Sequence, residues 1–408
     1  MNRLEGKSQV NRLACLFACT YMVSYITRIN YGAIISEMEA ATAVSRDLLS
    51  MALTGSFITY GAGQIVSGVL GDRISPKKLV SCGLMVTVAM NLLIPVCRNT
   101  LQMVVVWCIN GFAQSFLWPP LVRLMTALLS EEDYKKTTAK VSWGSSFGTM
   151  LLYLLSPLII SVLSWKWVFV FSAICGIVML VVWNRYSYEI ETEAPVPAAK
   201  VSKGQANALW NPLMLCVMAA IILQGMLRDG VTTWMPSYIA ETYQLRNRVS
   251  ILTGVVLPLF SIVCFQIATR LYMKKLTNPL TCAGAFFAAG ACSALVLWLF
   301  AGQNAAFSVL LSATLTGCMH GVNLILVCMI PPYFKQYGTV STVSGVINSC
   351  TYIGSALSTY AIAVLSKEIG WQYTVLVWFL IALAGTAVCF SCARPWKHKF
   401  AARKSDPM

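Results

Sequence analysis

Long apolar stretches alternate with short polar connectors along almost the whole chain. Placing edges at charged and turn-forming residues gives twelve apolar spans: Leu13 to Ile35, Leu48 to Leu70, Leu79 to Val96, Met103 to Leu128, Val141 to Leu163, Trp167 to Trp183, Pro212 to Ile239, Ile251 to Tyr272, Leu280 to Phe300, Ala305 to Ile330, Val340 to Leu365 and Tyr373 to Ala393. A helix crossing a bilayer needs roughly 20 mostly apolar residues. In lipid every backbone group must be satisfied internally, which favours helices over open strands. The pattern therefore predicts an all-α membrane protein with twelve transmembrane helices. The first span is long and others follow it, so it reads as a start-transfer helix rather than a cleaved signal peptide.

The pattern also repeats itself. Leu53-Thr54-Gly55 recurs as Leu252-Thr253-Gly254, and Arg73 with Lys77-Lys78 recurs as Arg270 with Lys274-Lys275. Val141-Ser142 recurs as Val343-Ser344, and Arg28 as Arg228, all in order and all about 200 residues apart. Two pseudo-symmetric six-helix bundles follow, residues 1–185 and 207–393. They are joined by a polar, proline-containing linker at 186–206 and followed by a basic tail at 394–408. Parallel half-repeats are the plan of many secondary transporters, whose substrate site lies at mid-membrane between the halves.

Composition agrees: 57% of residues are hydrophobic and 11% charged, and the mean hydropathy is +0.69. The net charge of +15 raises the question of nucleic acid, but the basic residues do not form a patch. Of 30 Lys and Arg, 21 fall on the N-terminus, alternate connectors, the linker and the tail, and 6 on the opposite connectors. The positive-inside rule then places both termini in the cytoplasm. The bilayer is the expected partner, nucleic acid is not, and the chain is expected to be a monomer. Fifteen cysteines lie almost entirely in apolar runs without paired spacing, so they read as small packing residues. No metal site, cofactor or nucleophile–base cluster is expected, and the chain does not read as an enzyme.

The three remaining basic residues, Arg28, Arg123 and Arg228, lie inside spans. An arginine near a helix centre costs about 2.5–3.5 kcal/mol on insertion scales, so it persists facing protein or a wet cavity. Buried carboxylates could neutralise it, yet of the 15 acids only Asp229 lies within a span. Neighbours on a helix point about 100° apart, so Asp229 is expected to be a poor partner for Arg228 and to reach Arg28 or a neighbouring helix instead. Arg28 and Arg228, meeting at mid-membrane, suit the oxygens of a phosphate or carboxylate. The alternative is a structural role, hydrogen bonding to the carbonyls of broken helices. Arg123, near the cytoplasmic end of its span, is expected to form a gating or packing ion pair with Asp72.

Other polar residues join these. Tyr21 and Tyr25 precede Arg28 by seven and three residues and share its helix face, and Tyr60 and Gln64 share a face of span two. These side chains suit hydrogen bonding to a polar substrate or anchoring at the bilayer interface. His320 in span ten is a substrate ligand, a proton-responsive group or a neutral packing histidine. Asn348 and Tyr352 share a face of span eleven.

"GQIVSGVLGDRISPKKLV", from Gly63 to Val80, carries Gly71-Asp72-Arg73 followed by Pro76-Lys77-Lys78. It resembles the loop between helices two and three of the major facilitator superfamily. "YITRINYG", "NGFAQSFLWPPLVRLM" with Trp118-Pro119-Pro120, and "LRDGVTTWMPSYI" resemble the organophosphate:phosphate antiporters, the group that includes the glycerol-3-phosphate and hexose-phosphate transporters. The resemblance implies the major facilitator fold. It also implies that Arg28 and Arg228 match the paired arginines that bind the phosphate group. Gln64 stands where family members carry a lysine, and Ser145 where the glycerol-3-phosphate transporter has a histidine, so up to two positive partners are lost. The expected activity is exchange of a phosphate ester for inorganic phosphate by alternating access in a cell (inner) membrane. The alternatives are proton-coupled symport of a carboxylate or sugar acid, and a transporter-like sensor of sugar phosphate.

Overall fold

In the computed structural model, residues 6–42, 44, 46–190, 211–245, 255–337 and 339–401 are described. Most of the linker, the second copy of Leu-Thr-Gly at 252–254, Arg246, Arg248 and the end of the tail lie outside these residues. None of the described residues forms a strand. The helices are α1 (Lys7–Ala33), α2 (Ile35–Thr42), α3 (Arg46–Arg73), α4 (Pro76–Leu93), α5 (Thr100–Gln114), α6 (Trp118–Leu128), α7 (Glu131–Val162), α8 (Trp165–Tyr186), α9 (Pro212–Tyr243), α10 (Val256–Lys274), α11 (Pro279–Leu299), α12 (Ala305–Asn323), α13 (Val340–Glu368) and α14 (Gly370–Ala401).

These helices occupy the twelve apolar spans, with α5 and α6 sharing the fourth. Among the described residues nine helical segments are long and apolar enough to cross a membrane. The other three, α1, α3 and α13, are 27, 28 and 29 residues long and carry many of the polar candidates.

Local chemistry sets the helix ends. Asn211 and Asn278 accept hydrogen bonds from the backbone of the first turn, and each is followed by a proline that needs no N–H partner there. Ser130 caps α7, whose first turn holds Glu131, Glu132 and Asp133, favourable at the positive end of the helix dipole. Between α5 and α6, the N–H groups of Ser115, Phe116 and Leu117 reach carbonyls three residues back. Pro119 and Pro120 then open α6, because neither can donate within a continuing helix. Past Asn323 the chain widens into a π-helical turn, Leu324–Cys328, a distortion frequent at functional sites.

The chain folds into two compact units, Met1–Val196 with Phe334–Ser349, and Pro197–Tyr333 with Cys350–Met408. The segment Phe334–Ser349, which includes the start of α13, thus groups with the first unit. There α1 packs on α7 and α8, α3 on α5, and α4 on α8. In the second unit α11 packs on α14 and α12, α10 on α12, and α9 on α12 and α14. Small residues make the tightest of these approaches. A Cβ on Gly148 of α7 would collide with the carbonyl of Met22 on α1, and one on Gly225 of α9 with the carbonyl of Thr351 on α13.

Candidate functional site

In the first unit, the 3.6-residue repeat of α1 brings Tyr21, Tyr25 and Arg28 onto one stripe. The Arg28 guanidinium lies 4.4 Å from the centre of the Tyr25 ring and 4.7 Å from that of Tyr60 on α3. The tyrosine rings of residues 21 and 25 meet edge to face at 5.2 Å, and Tyr21 lies 5.0 Å from Trp118 at the start of α6. Aromatic faces attract a cation through their quadrupole, by about 0.5–2 kcal/mol each. They do so without cancelling its charge.

One turn beyond the buried Tyr60, Gln64 is fully buried. Its Oε1 accepts from Asn348 Nδ2 at 3.0 Å, while its Nε2 has no hydrogen-bond partner among the described residues. The position where the resemblance anticipates a lysine thus holds a neutral amide with a spare donor. Asn348 and Tyr352 share a helix, but Asn348 belongs to the first unit and Tyr352 to the second. Ser145 donates back to the Ser142 carbonyl of its own helix at 2.7 Å, a bond that helical serines readily make.

Behind the arginine stripe lies a polar network that sequence reasoning missed. Ser24 donates to Gln114, which in turn donates to Thr27 Oγ1, both at 2.8 Å. Asn30 donates to Asn91 at 2.7 Å and to Ser172 at 3.0 Å. Asn91 and Asn110 both donate to the Thr27 carbonyl. The network ties α1 to α4, α5 and α8 and fixes its rotation, so Arg28 is held on a helix that cannot easily turn. Asn91, Asn110 and Gln114 are polar residues inside apolar spans, and that is the signal a sequence offers.

At the C-terminal end of α3, Asp72 accepts from the backbone N–H of Ser341 at 2.9 Å and of Thr342 at 2.7 Å, and from the Thr342 hydroxyl at 2.7 Å. It therefore caps the first turn of α13, where the helix dipole favours an anion. Arg123 donates to the carbonyls of Gly71 and Ile74 and acts electrostatically on Asp72. Arg123 thus contacts backbone carbonyls at the end of α3, and its influence on Asp72 is electrostatic. Arg73 is exposed.

The second unit holds Arg228, and here one expectation is corrected. Asp229 is its direct partner: Arg228 Nε donates to Oδ1 at 2.7 Å and Nη2 to Oδ2 at 2.8 Å. The 100° argument applies to Cβ directions. The long, flexible arginine stem curls back far enough to place its planar fork on the adjacent carboxylate. Arg228 Nη1 also donates to Asn323 Oδ1 on α12 at 3.1 Å. The Ser355 hydroxyl of α13 lies 2.5 Å from Asp229 Oδ2 and donates to it. His320 lies close enough to Arg228 and Asp229 to interact with both charges. Its Nδ1 sits 2.9 Å from the Thr316 carbonyl, and its ring meets Phe265 edge to face. Asn323 and Ser355 were not anticipated; Asn323, three residues past His320, shares its helix face.

Comparison with known proteins bears on this geometry. The sequence profile of the Major Facilitator Superfamily matches residues 17–359. The chain is 24% identical over 242 residues to the membrane sensor protein UhpC of Salmonella typhimurium, covering 54% of this chain and 55% of the relative. It is 26% identical over 166 residues to a probable hexose phosphate transport protein of Chlamydia muridarum, covering 40% and 36%. It is 25% identical over 247 residues to the glycerol-3-phosphate transporter of Bacillus subtilis, covering 54% and 55%. The chain thus spans about half or less of the length of these relatives. Two of the three are named for phosphate esters, in line with the motif resemblance. With nine membrane-length apolar helices among the described residues and a family match along most of its length, the chain is an integral membrane protein and belongs to the Major Facilitator Superfamily.

Proposed function

We propose that this protein is a carrier, not an enzyme, that moves a small organic anion across the cell (inner) membrane by alternating access. Phosphate esters such as glycerol-3-phosphate or a hexose phosphate are the first candidates, exchanged for inorganic phosphate. It acts as a monomer with both termini in the cytoplasm. The observation that carries this reading is an arginine within a long apolar helix of each unit, Arg28 of α1 and Arg228 of α9, held by aromatic and polar groups of its own unit. An arginine in a membrane helix is retained for function by default, and its donor fork matches phosphate oxygens. The names of the hexose phosphate and glycerol-3-phosphate relatives support the same substrate class.

The test is counterflow into proteoliposomes loaded with inorganic phosphate, with glycerol-3-phosphate, hexose phosphates and sugar acids offered in parallel. Exchange of a phosphate ester for phosphate is the expected result. Uptake of a sugar acid driven only by a proton gradient overturns the exchange reading and leaves a carrier of another anion.

Similarity to a protein named as a membrane sensor favours one second reading, a receptor of transporter shape. A chain that binds phosphate esters in lipid yet shows no counterflow is a sensor.

A further inference from the structure

The second unit already keeps an anion on its arginine. Asp229 occupies the Nε and Nη2 edge of the Arg228 fork at 2.7 and 2.8 Å, the edge that best receives two oxygens of a phosphoryl or carboxyl group. An anion arriving from solution therefore meets an occupied fork. If Asp229 gave way while ionised, a carboxylate would stand in a membrane helix without its cation and beside a second anion, a strongly unfavourable arrangement.

The surroundings provide a way out. The Ser355 hydroxyl stands 2.5 Å from Asp229 Oδ2 and 2.9 Å from the Thr351 carbonyl, one turn back on its own helix. Facing an ionised carboxylate, the hydroxyl donates to it. Facing a protonated carboxyl, it turns to Thr351 and accepts the Asp229 O–H. The same groups satisfy both protonation states, so protonated Asp229 leaves no orphaned donor.

We propose that Asp229 is a resident counter-anion, displaced from Arg228 by the transported anion and released in protonated form, so that one proton enters this site with each anion. The proton passes from water on the side of entry to an Asp229 oxygen. It returns to water when the anion leaves and the Arg228–Asp229 pair re-forms. The groups facing Asp229 are Arg228 on its own helix, His320 on α12 and Ser355 on α13, while Asn323 of α12 holds the far side of the Arg228 guanidinium. Cys328 of the π-helical turn lies near Arg228. Helix α14 meets α9 through Trp371 and Trp378, around Tyr238. His320 is the rival proton acceptor, since its Nδ1 is engaged with Thr316 and its Nε2 is the other basic atom. The proposal rests on the anion reading above.

The test uses the full chain in lipid, with inorganic phosphate as the probe and infrared difference spectroscopy as the readout. In the native protein, phosphate binding is expected to raise a protonated-carboxyl C=O band. Asp229→Asn removes that band and Asp229→Glu retains it, shifted. In parallel, the ratio of native to Asp229→Asn phosphate affinity rises up to about tenfold for each unit of falling pH, a ratio from which phosphate's own titration cancels. Phosphate binding to the native protein with no new carboxyl band, or with a histidine signal instead, overturns the proposal whether or not the variants fold. Failure of the native protein to bind phosphate at all defeats the phosphate reading itself and takes this inference with it.

Discussion

Arg28 and Arg228 put the same side chain in comparable helices and keep it there by different means. Arg28 sits against the faces of Tyr25 and Tyr60, whose quadrupoles stabilise the cation. Arg228 is bound edge-on by Asp229 and touched by Asn323, so its charge is largely cancelled locally. An anion gains different things from the two. At Arg28 it meets a guanidinium flanked by rings on a locked helix, and at Arg228 it must first replace a carboxylate on the fork. Both helices also make a close approach that only a glycine allows: Gly148 of α7 lies against the Met22 carbonyl of α1, and Gly225 of α9 lies against the Thr351 carbonyl of α13.

Substituting the arginines tests this contrast with the largest expected effect. Arg28→Lys loses both the planar fork and its stacking on two rings, and phosphate affinity should fall by about two orders of magnitude, roughly 2–3 kcal/mol. Arg228→Lys also loosens Asp229 and so eases its displacement; about tenfold is expected, roughly 1.4 kcal/mol. Phosphate titrations of the purified variants measure both, and the reverse order breaks the comparison.

The seating of the helices comes next. Gly148→Ala and Gly225→Ala should each destabilise the protein by about 1–3 kcal/mol, because backbone rather than a flexible side chain lies in the way. Thermal unfolding in detergent gives the answer, and unchanged stability in either shows that its helix is not seated as described. Smaller again is the aromatic support of Arg28. Tyr60→Leu should weaken phosphate binding by about 0.5–2 kcal/mol, while Tyr60→Phe keeps the ring and most of the affinity. A Phe variant as weak as the Leu variant assigns the effect to the hydroxyl. The smallest change belongs to the second unit: Asn323→Ala removes one hydrogen bond to Arg228, worth about 1 kcal/mol or less, because Asp229 continues to hold the fork. A larger loss in a phosphate titration makes Asn323 a ligand in its own right.

Much of this is legible in the chain itself. Apolar length and charged connectors mark the helices, since burial in lipid demands both. The stripe of Tyr21, Tyr25 and Arg28 follows from helical periodicity alone. How far side chains reach is not legible in the same way. Cβ geometry separates Arg228 from Asp229, whereas the arginine stem is long enough to undo that separation. The cap that Asp72 places on α13 joins residues some 270 positions apart, and no local pattern encodes such a contact. The network of Ser24, Thr27, Asn30, Asn91, Asn110, Gln114 and Ser172 is visible as polar residues in apolar spans. Its meaning depends on which helices pack on α1, which only the fold supplies.

Counterflow with the arginine variants tests the central claim most directly. Proteoliposomes loaded with inorganic phosphate should take up a labelled phosphate ester when they contain the native protein, and should fail to do so when Arg28→Gln or Arg228→Gln replaces it at equal folded content. Undiminished exchange by folded Arg28→Gln protein would contradict the account, because the anion would then be recognised elsewhere in the molecule.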